Sequence, residues 1–109
     1  MMSVSDVTWS QSEQAIARKA FDMAYEREIE ALLQQVQQRA GAIAQLDDLW
    51  QLHDFLSTQR HEIDGKYDYR YSVLIFVFAR LIKEGWLQVD ELEGLDTEKL
   101  TKMKLMSRM

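Results

Sequence analysis

The sequence predicts an all-α fold: one long N-terminal helix and a compact helical head of three to four shorter helices. Three observations predict it. The 109-residue chain has no proline and only four glycines, Gly41, Gly65, Gly85 and Gly94, which divide it into stretches of helical length. Ser10-x-x-Glu13 is a capping-box signature at the head of the first stretch. No two segments read as strands able to pair, and a lone strand would leave its backbone groups unsatisfied.

The first helix is expected over about residues 11–40. Trp9 stands just outside as a staple residue, and Gly41 beyond Arg39 and Ala40 reads as a left-handed stop. At roughly 28 residues it would be about 40 Å long, more than the roughly 30 Å of a small domain. Its apolar residues, from Ile16, Ala20, Phe21 and Met23 to Tyr25, spread over more than one face. A helix that overhangs its own domain packs on something else, so a homodimer through this helix is expected. The dimer seam is placed at Ile29, Leu32, Leu33 and Val36, where Leu-Leu-Gln-Gln-Val-Gln-Gln resembles a coiled-coil contact with uncharged flanks. The alternative is an ordinary amphipathic helix.

The second helix should start at Asp47 or Asp48 and run to about Ile63. Leu49, Leu52, Leu56 and Ile63 recur at helical spacing and are expected to face the core. Residues 66–84 are ambiguous. Tyr67, Tyr69 and Tyr71 alternate as in a strand, and Val73 to Phe78 is rich in β-formers. The apolar run continues through Leu81 and Ile82, too long for a strand, so a buried helix from an Asp68 cap to Glu84 is predicted, stopped by Gly85. A short helical turn at Asp90–Glu93 ends at Gly94. Asp96 caps a last helix to about Ser107, with Leu100, Met103 and Leu105 or Met106 inward and lysines outward. The helical head then covers about residues 47–108, and the whole is one domain.

Composition excludes several functions. With no cysteine there is no disulfide scaffold, thiolate metal site or cysteine nucleophile. No segment approaches the roughly 20 apolar residues of a bilayer span, and residues 1–10 do not read as a secretory signal, so a soluble intracellular protein is expected. The net charge of −5 argues against nucleic acid. Residues 1–64 hold 11 acids and 5 bases, whereas residues 65–109 hold 7 acids and 8 bases, with Lys99, Lys102, Lys104 and Arg108 near the end. That asymmetry suits a protein partner or self-association. The lysine tail is either a second contact to an acidic partner or a solvated last turn, where cations are favourable. Met106 and Met109 fit either core filling or an adaptable contact surface.

Catalytic and metal motifs are missing. His53 and His61, eight residues apart, stand about 12 Å apart along a helix and cannot share a metal. Asp54, Ser57, His61 and Asp64 share a face, a weak metal signal. Ser57 and His53 could touch, but nothing supplies an oriented base and an oxyanion site. No phosphate loop, Gly-x-Ser-x-Gly or His-Glu-x-x-His occurs. The more informative feature is a stripe on the second helix. Trp50, His53, Asp54, Ser57 and Arg60 or His61 recur every three or four residues, opposite Leu52 and Leu56. An aromatic, an arginine and a carboxylate on one exposed stripe is the composition of an interface hot spot. The alternative, that Trp50 is buried and Asp54 merely pairs with a base, stands equally on spacing alone.

Two segments carry a resemblance: LDDLWQLHDFLSTQRHEIDGKYDYRYSVL at 46–74 and GWLQVDELEGL at 85–95. With the length and the long first helix, these resemble the fluorescence recovery proteins of cyanobacteria. The resemblance implies an all-helical, non-enzymatic homodimer without cofactor, metal, nucleic acid or small-molecule substrate. It implies a cytoplasmic regulator, peripheral at the cytoplasmic face of the thylakoid membrane. Its partner would be the orange carotenoid protein, a two-domain blue-light sensor whose red form binds the phycobilisome and dissipates excitation. The regulator would bind chiefly the sensor's C-terminal domain, speed its return to the orange form and promote its detachment, so that its own association with the phycobilisome is indirect. On this resemblance the partner-binding residues are Trp50, His53, Asp54 and Arg60, with a second contact in the head at Phe76 and Lys102. Two readings from other classes stand beside it: a dimeric helical adaptor that accelerates nothing, and a small metal-dependent hydrolase.

Overall fold

The structure is a computed structural model and describes residues 8–109. Four α-helices and one 3-10 turn follow one another: α1 (Gln11–Gly41), α2 (Leu46–Lys66), α3 (Leu74–Glu84), the turn Val89–Leu92, and α4 (Thr97–Ser107). The described residues contain no strand beyond an isolated bridge between Glu93 and Leu95. The all-helical prediction, with a long first helix and a head of shorter ones, is met.

α1 starts as its sequence dictates. The Ser10 hydroxyl accepts from the Glu13 N–H at 3.1 Å, and the Ser10 N–H donates to the Glu13 carboxylate at 3.1 Å. Trp9 is more than a staple. It is buried, and its indole N–H donates to the Tyr71 carbonyl at 3.2 Å. The small residues Ala17, Ala20 and Ala24, with Phe21, form the core with Leu74, Ile75, Phe78, Leu81, Leu87, Leu92 and Met103. From Ile29 to its end, α1 buries nothing fully. Its 31 residues span about 46 Å, and the molecule measures 57 × 23 × 23 Å with a radius of gyration of 16.9 Å. A compact domain of this length would have a radius near 13 Å. The head is therefore one end of a rod, and the stalk is the hairpin of α1 and α2.

Several boundaries differ from expectation. Gly41 is the last helical residue rather than a left-handed stop, and the chain leaves through Ala42. α2 begins at Leu46 and runs through Gly65 to Lys66, three residues past Ile63. α3 begins at Leu74, not at an Asp68 cap. The tyrosine alternation explains this. Residues 67–73 run as a non-helical strap, which lays Tyr67 and Tyr69 edge-on over Phe21 at 5.4 and 4.9 Å and brings Tyr71 to 6.0 Å from Trp9. Asp68 pairs with Arg70 instead of capping a helix. Gly85, at φ 87°, stops α3 as predicted. Its N–H reaches the Ile82 carbonyl, and the Trp86 N–H reaches that of Leu81, which is a Schellman motif. In α4 Met103 is buried and Met106 half-buried, whereas Leu105 is exposed.

The larger correction concerns α2. Ile63 is buried and Leu52 half-buried, but Leu49 is 44% and Leu56 39% exposed. The physical reason is the two-helix layer of the stalk. One helix covers only a narrow arc of its neighbour, and Leu49 and Leu56 lie on the flank that α1 does not reach.

Candidate functional site

α2 presents its polar stripe to solvent. Trp50 is 55% exposed, and His53, Asp54, Ser57, Arg60 and His61 are all exposed. From Trp50 to Arg60 the stripe runs about 15 Å along the helix axis. The Trp50 and His53 rings meet edge to face at 6.4 Å. His53 and Asp54, neighbours in sequence, approach at 3.4 Å. Arg60 sits 3.8 Å from Asp64, both side chains open to water. These weak, exposed contacts leave the indole face, the imidazole, the carboxylate and the guanidinium available to another molecule. The two readings of Trp50 are thereby resolved in favour of exposure.

The stripe is also more apolar than sequence reasoning held. Leu46 is 65% exposed, and with Leu49 and Leu56 it adds aliphatic area beside the polar residues. The helical period itself misled here, because a leucine on the flank of a two-helix hairpin has the same spacing as one in a core.

Phe76 lies elsewhere, on the head. It is 50% exposed and lines a groove of about 620 Å³ with Ala79, Arg80, Lys83, Glu84, Met106 and Met109. Lys102 is half-buried, 3.8 Å from Glu98, and is not among the residues lining the groove. It lies one helical turn before Met106. Of the basic tail, Lys99 is withdrawn from the surface. It donates to both Glu13 oxygens at 2.9 Å and to the Thr8 carbonyl at 2.7 Å.

The seam residues divide. Leu33 is 56% exposed, whereas Ile29, Leu32 and Val36 are half-buried. Leu32 helps line a small cleft with Gln59 and Trp86 inside the same chain. At the far end of the hairpin the Arg39 guanidinium lies 3.8 Å over the Phe55 ring.

Glu13 and Glu91 are the carboxylates lowered furthest. Burial alone would raise Glu13. The Asp96 N–H, the Lys99 ammonium and the Ser10 N–H outweigh it and hold the carboxyl at about 2, against an ordinary 4.5. The bidentate Arg27 guanidinium lowers Glu91 to about 2. Both groups tie the head together and lie away from the stripe. Among the described residues, no group of three or more His, Asp or Glu side chains is arranged to hold a metal ion, and no helix is long and apolar enough to cross a membrane.

Comparison with known proteins follows the same outline. A family model described as photoprotection regulator fluorescence recovery protein matches residues 9–107. The chain is 52% identical over 109 residues to the fluorescence recovery protein of Synechocystis sp. (strain ATCC 27184 / PCC 6803 / Kazusa), covering 100% of both chains. Its structure is similar to that of the Fremyella diplosiphon fluorescence recovery protein, with a TM-score of 0.92 and 63% identity over 94% of this chain and 100% of that one. The Synechocystis sp. PCC 6803 structure gives a TM-score of 0.91 and 55% identity, again over 94% and 100%.

Proposed function

The chain belongs to the fluorescence recovery proteins, a family of photoprotection regulators, and on that premise we propose that it binds the red form of the orange carotenoid protein, chiefly at its C-terminal domain. It accelerates the return to the orange form and promotes detachment from the phycobilisome. It is not an enzyme. It acts as a single helical domain and as a homodimer joined along the α1 seam at Ile29, Leu32, Leu33 and Val36, at the cytoplasmic face of the thylakoid membrane. Trp50, His53, Asp54 and Arg60 carry the main contact, and Phe76 and Lys102 the second.

The observation that carries this reading is the exposed stripe of α2, which sets an indole, a guanidinium and a carboxylate within about 15 Å on a rigid helix. Such a surface grips a protein partner. Return to the orange form is a docking of two separated domains, with no covalent step. A helper that holds the domains near each other replaces a disordered search with a high local concentration. Each 1.36 kcal/mol taken from the barrier gives about tenfold in rate. Turnover requires that the red form be bound more tightly than the orange product, since only differential affinity shifts the conversion.

The test is the dark decay of red absorbance of photoconverted orange carotenoid protein with substoichiometric chain. Acceleration below one equivalent is expected. A folded, dimeric chain that binds the sensor yet leaves its decay unchanged would overturn the recovery function and leave a helical adaptor.

A further inference from the structure

Head and stalk meet at one buried cation. The Lys66 side chain, in the last turn of α2, is 3% exposed. Its ammonium donates to Glu28 Oε2 on α1 at 2.6 Å and to Glu84 Oε1, the last residue of α3, at 2.6 Å. The second oxygen of each carboxylate is also engaged. The Tyr67 hydroxyl donates to Glu28 Oε1 at 2.7 Å, and Arg80 Nε donates to Glu84 Oε2 at 2.9 Å. Three helices and the strap therefore converge on a single nitrogen. Burial raises the Glu84 carboxyl, but Lys66 and Arg80 outweigh it and keep it below its ordinary range.

Apolar residues of similar volume in place of Glu28, Lys66 and Glu84 together would fill these positions without the desolvation that the charges suffer, so the cluster is a poor choice for stability alone. What it adds is direction. Apolar contacts tolerate sliding, whereas two opposed carboxylates fix where the ammonium sits. That constraint falls where α2 needs it. α2 buries only Ile63 and Lys66, both close to its C-terminal end, and the rest of its packing face on α1 is half-covered. A helix held so loosely can roll. A 20° roll carries a side-chain tip, about 6 Å from the axis, through about 2 Å. Displacements of that size disable a preorganised contact.

We propose that Lys66 is a positioning residue. It locks the roll and register of α2 against the head, so that the Trp50–Arg60 stripe and the Phe76 groove meet one partner as a rigid pair. The partner half of this inference rests on the function proposed above; the mechanical half does not.

The experiment uses the full chain. It has no native cysteine, so T58C on α2 and K104C on the head take spin labels cleanly. Labelled chain is diluted into excess unlabelled chain to isolate distances within one subunit. Pulsed dipolar spectroscopy should give one narrow distance in the otherwise native protein. In K66M, at unchanged helical content, the distribution should at least double in width. A folded K66M with the native narrow distance overturns the proposal. Should K66M not fold, E84Q decides, since it weakens one arm and keeps the Lys66–Glu28 pair; it should broaden the distance, and an unchanged one is equally fatal.

With photoconverted orange carotenoid protein, K66M should raise the half-maximal concentration for recovery roughly tenfold, as expected when two linked contacts lose their fixed geometry. The coupling between W50A and F76A should be present in the native background and vanish in K66M. If W50A has no effect in the native background, the partner reading fails, and the distance measurement still decides the role of Lys66.

Discussion

Arg60 reaches only Asp64 among the described residues, at 3.8 Å and in full view of solvent. Its removal should cost the fold no more than about 0.5 kcal/mol. R60A is therefore expected to melt like the parent and to slow recovery about tenfold or more, as loss of a central arginine anchor does. W50A should behave similarly, and equal helicity by circular dichroism alongside unimpaired recovery would remove both from the site. Glu13 gives the opposite case, a residue that matters to stability and not to contact. Its carboxyl lies at about 2 in the folded chain and near 4.5 when unfolded. Its stabilising effect is therefore fully present above pH 4.5 and is lost as pH falls through 4.5 towards 2. Thermal midpoints should drop across that window, and E13Q should flatten the drop. A parallel pH profile in E13Q would contradict the assignment. Gly94 is a third kind. At φ 106°, with Ile16 Cδ1 2.6 Å from where a Cβ would stand, G94A should destabilise by about 1–3 kcal/mol.

At the scale of the elements, the distal half of α1 is the testable surface. Leu33 points outward at 56% exposure, flanked by uncharged glutamines. L33E should convert a dimer into a monomer in light-scattering chromatography while the head keeps its melting transition; a persistent dimer would move the interface elsewhere. Capping chemistry made part of the fold legible: Ser10 with Glu13 opens α1 and Gly85 closes α3, whereas the stop expected at Gly41 and the cap expected at Asp68 are not formed. The strap was half-legible. Alternating Tyr67, Tyr69 and Tyr71 did announce extended backbone, but its partner is a helix face, and the strand test asks only for another strand. The exposed stripe was legible in Trp50 to Arg60, where polar types mark an outward face. Leu49 and Leu56 were not, because spacing tells which residues share a face and not whether anything covers it. The Lys66 hub was invisible for a similar reason, as Glu28, Lys66 and Glu84 are far apart in sequence and each is an ordinary surface type.

The whole molecule is a rod, with two exposed candidate contact regions on different parts of its 57 Å length. One carries Asp54 and Arg60, and the other is rimmed by Arg80 and Lys83. Contacts of this kind are screened as the Debye length shrinks from about 10 Å in 0.1 M salt to about 3 Å in 1 M. Acceleration of recovery should weaken steadily over that range while the melting temperature stays nearly constant. A salt-independent rate would mean that the apolar neighbours Leu46, Leu49 and Phe76 dominate.

The three tryptophans divide the rod between them. Trp9 is buried in the head core, Trp86 is half-buried beside the stalk, and Trp50 stands open on α2. The chain thus carries its own optical reporters, one per region. Light emitted by Trp9 should shift to the red only when the head unfolds. Trp50 already faces water, so acrylamide should quench it in the free chain and cease to do so when a partner covers it. Emission maximum and acrylamide quenching together then distinguish a loosened head from an occupied stalk, without any attached dye.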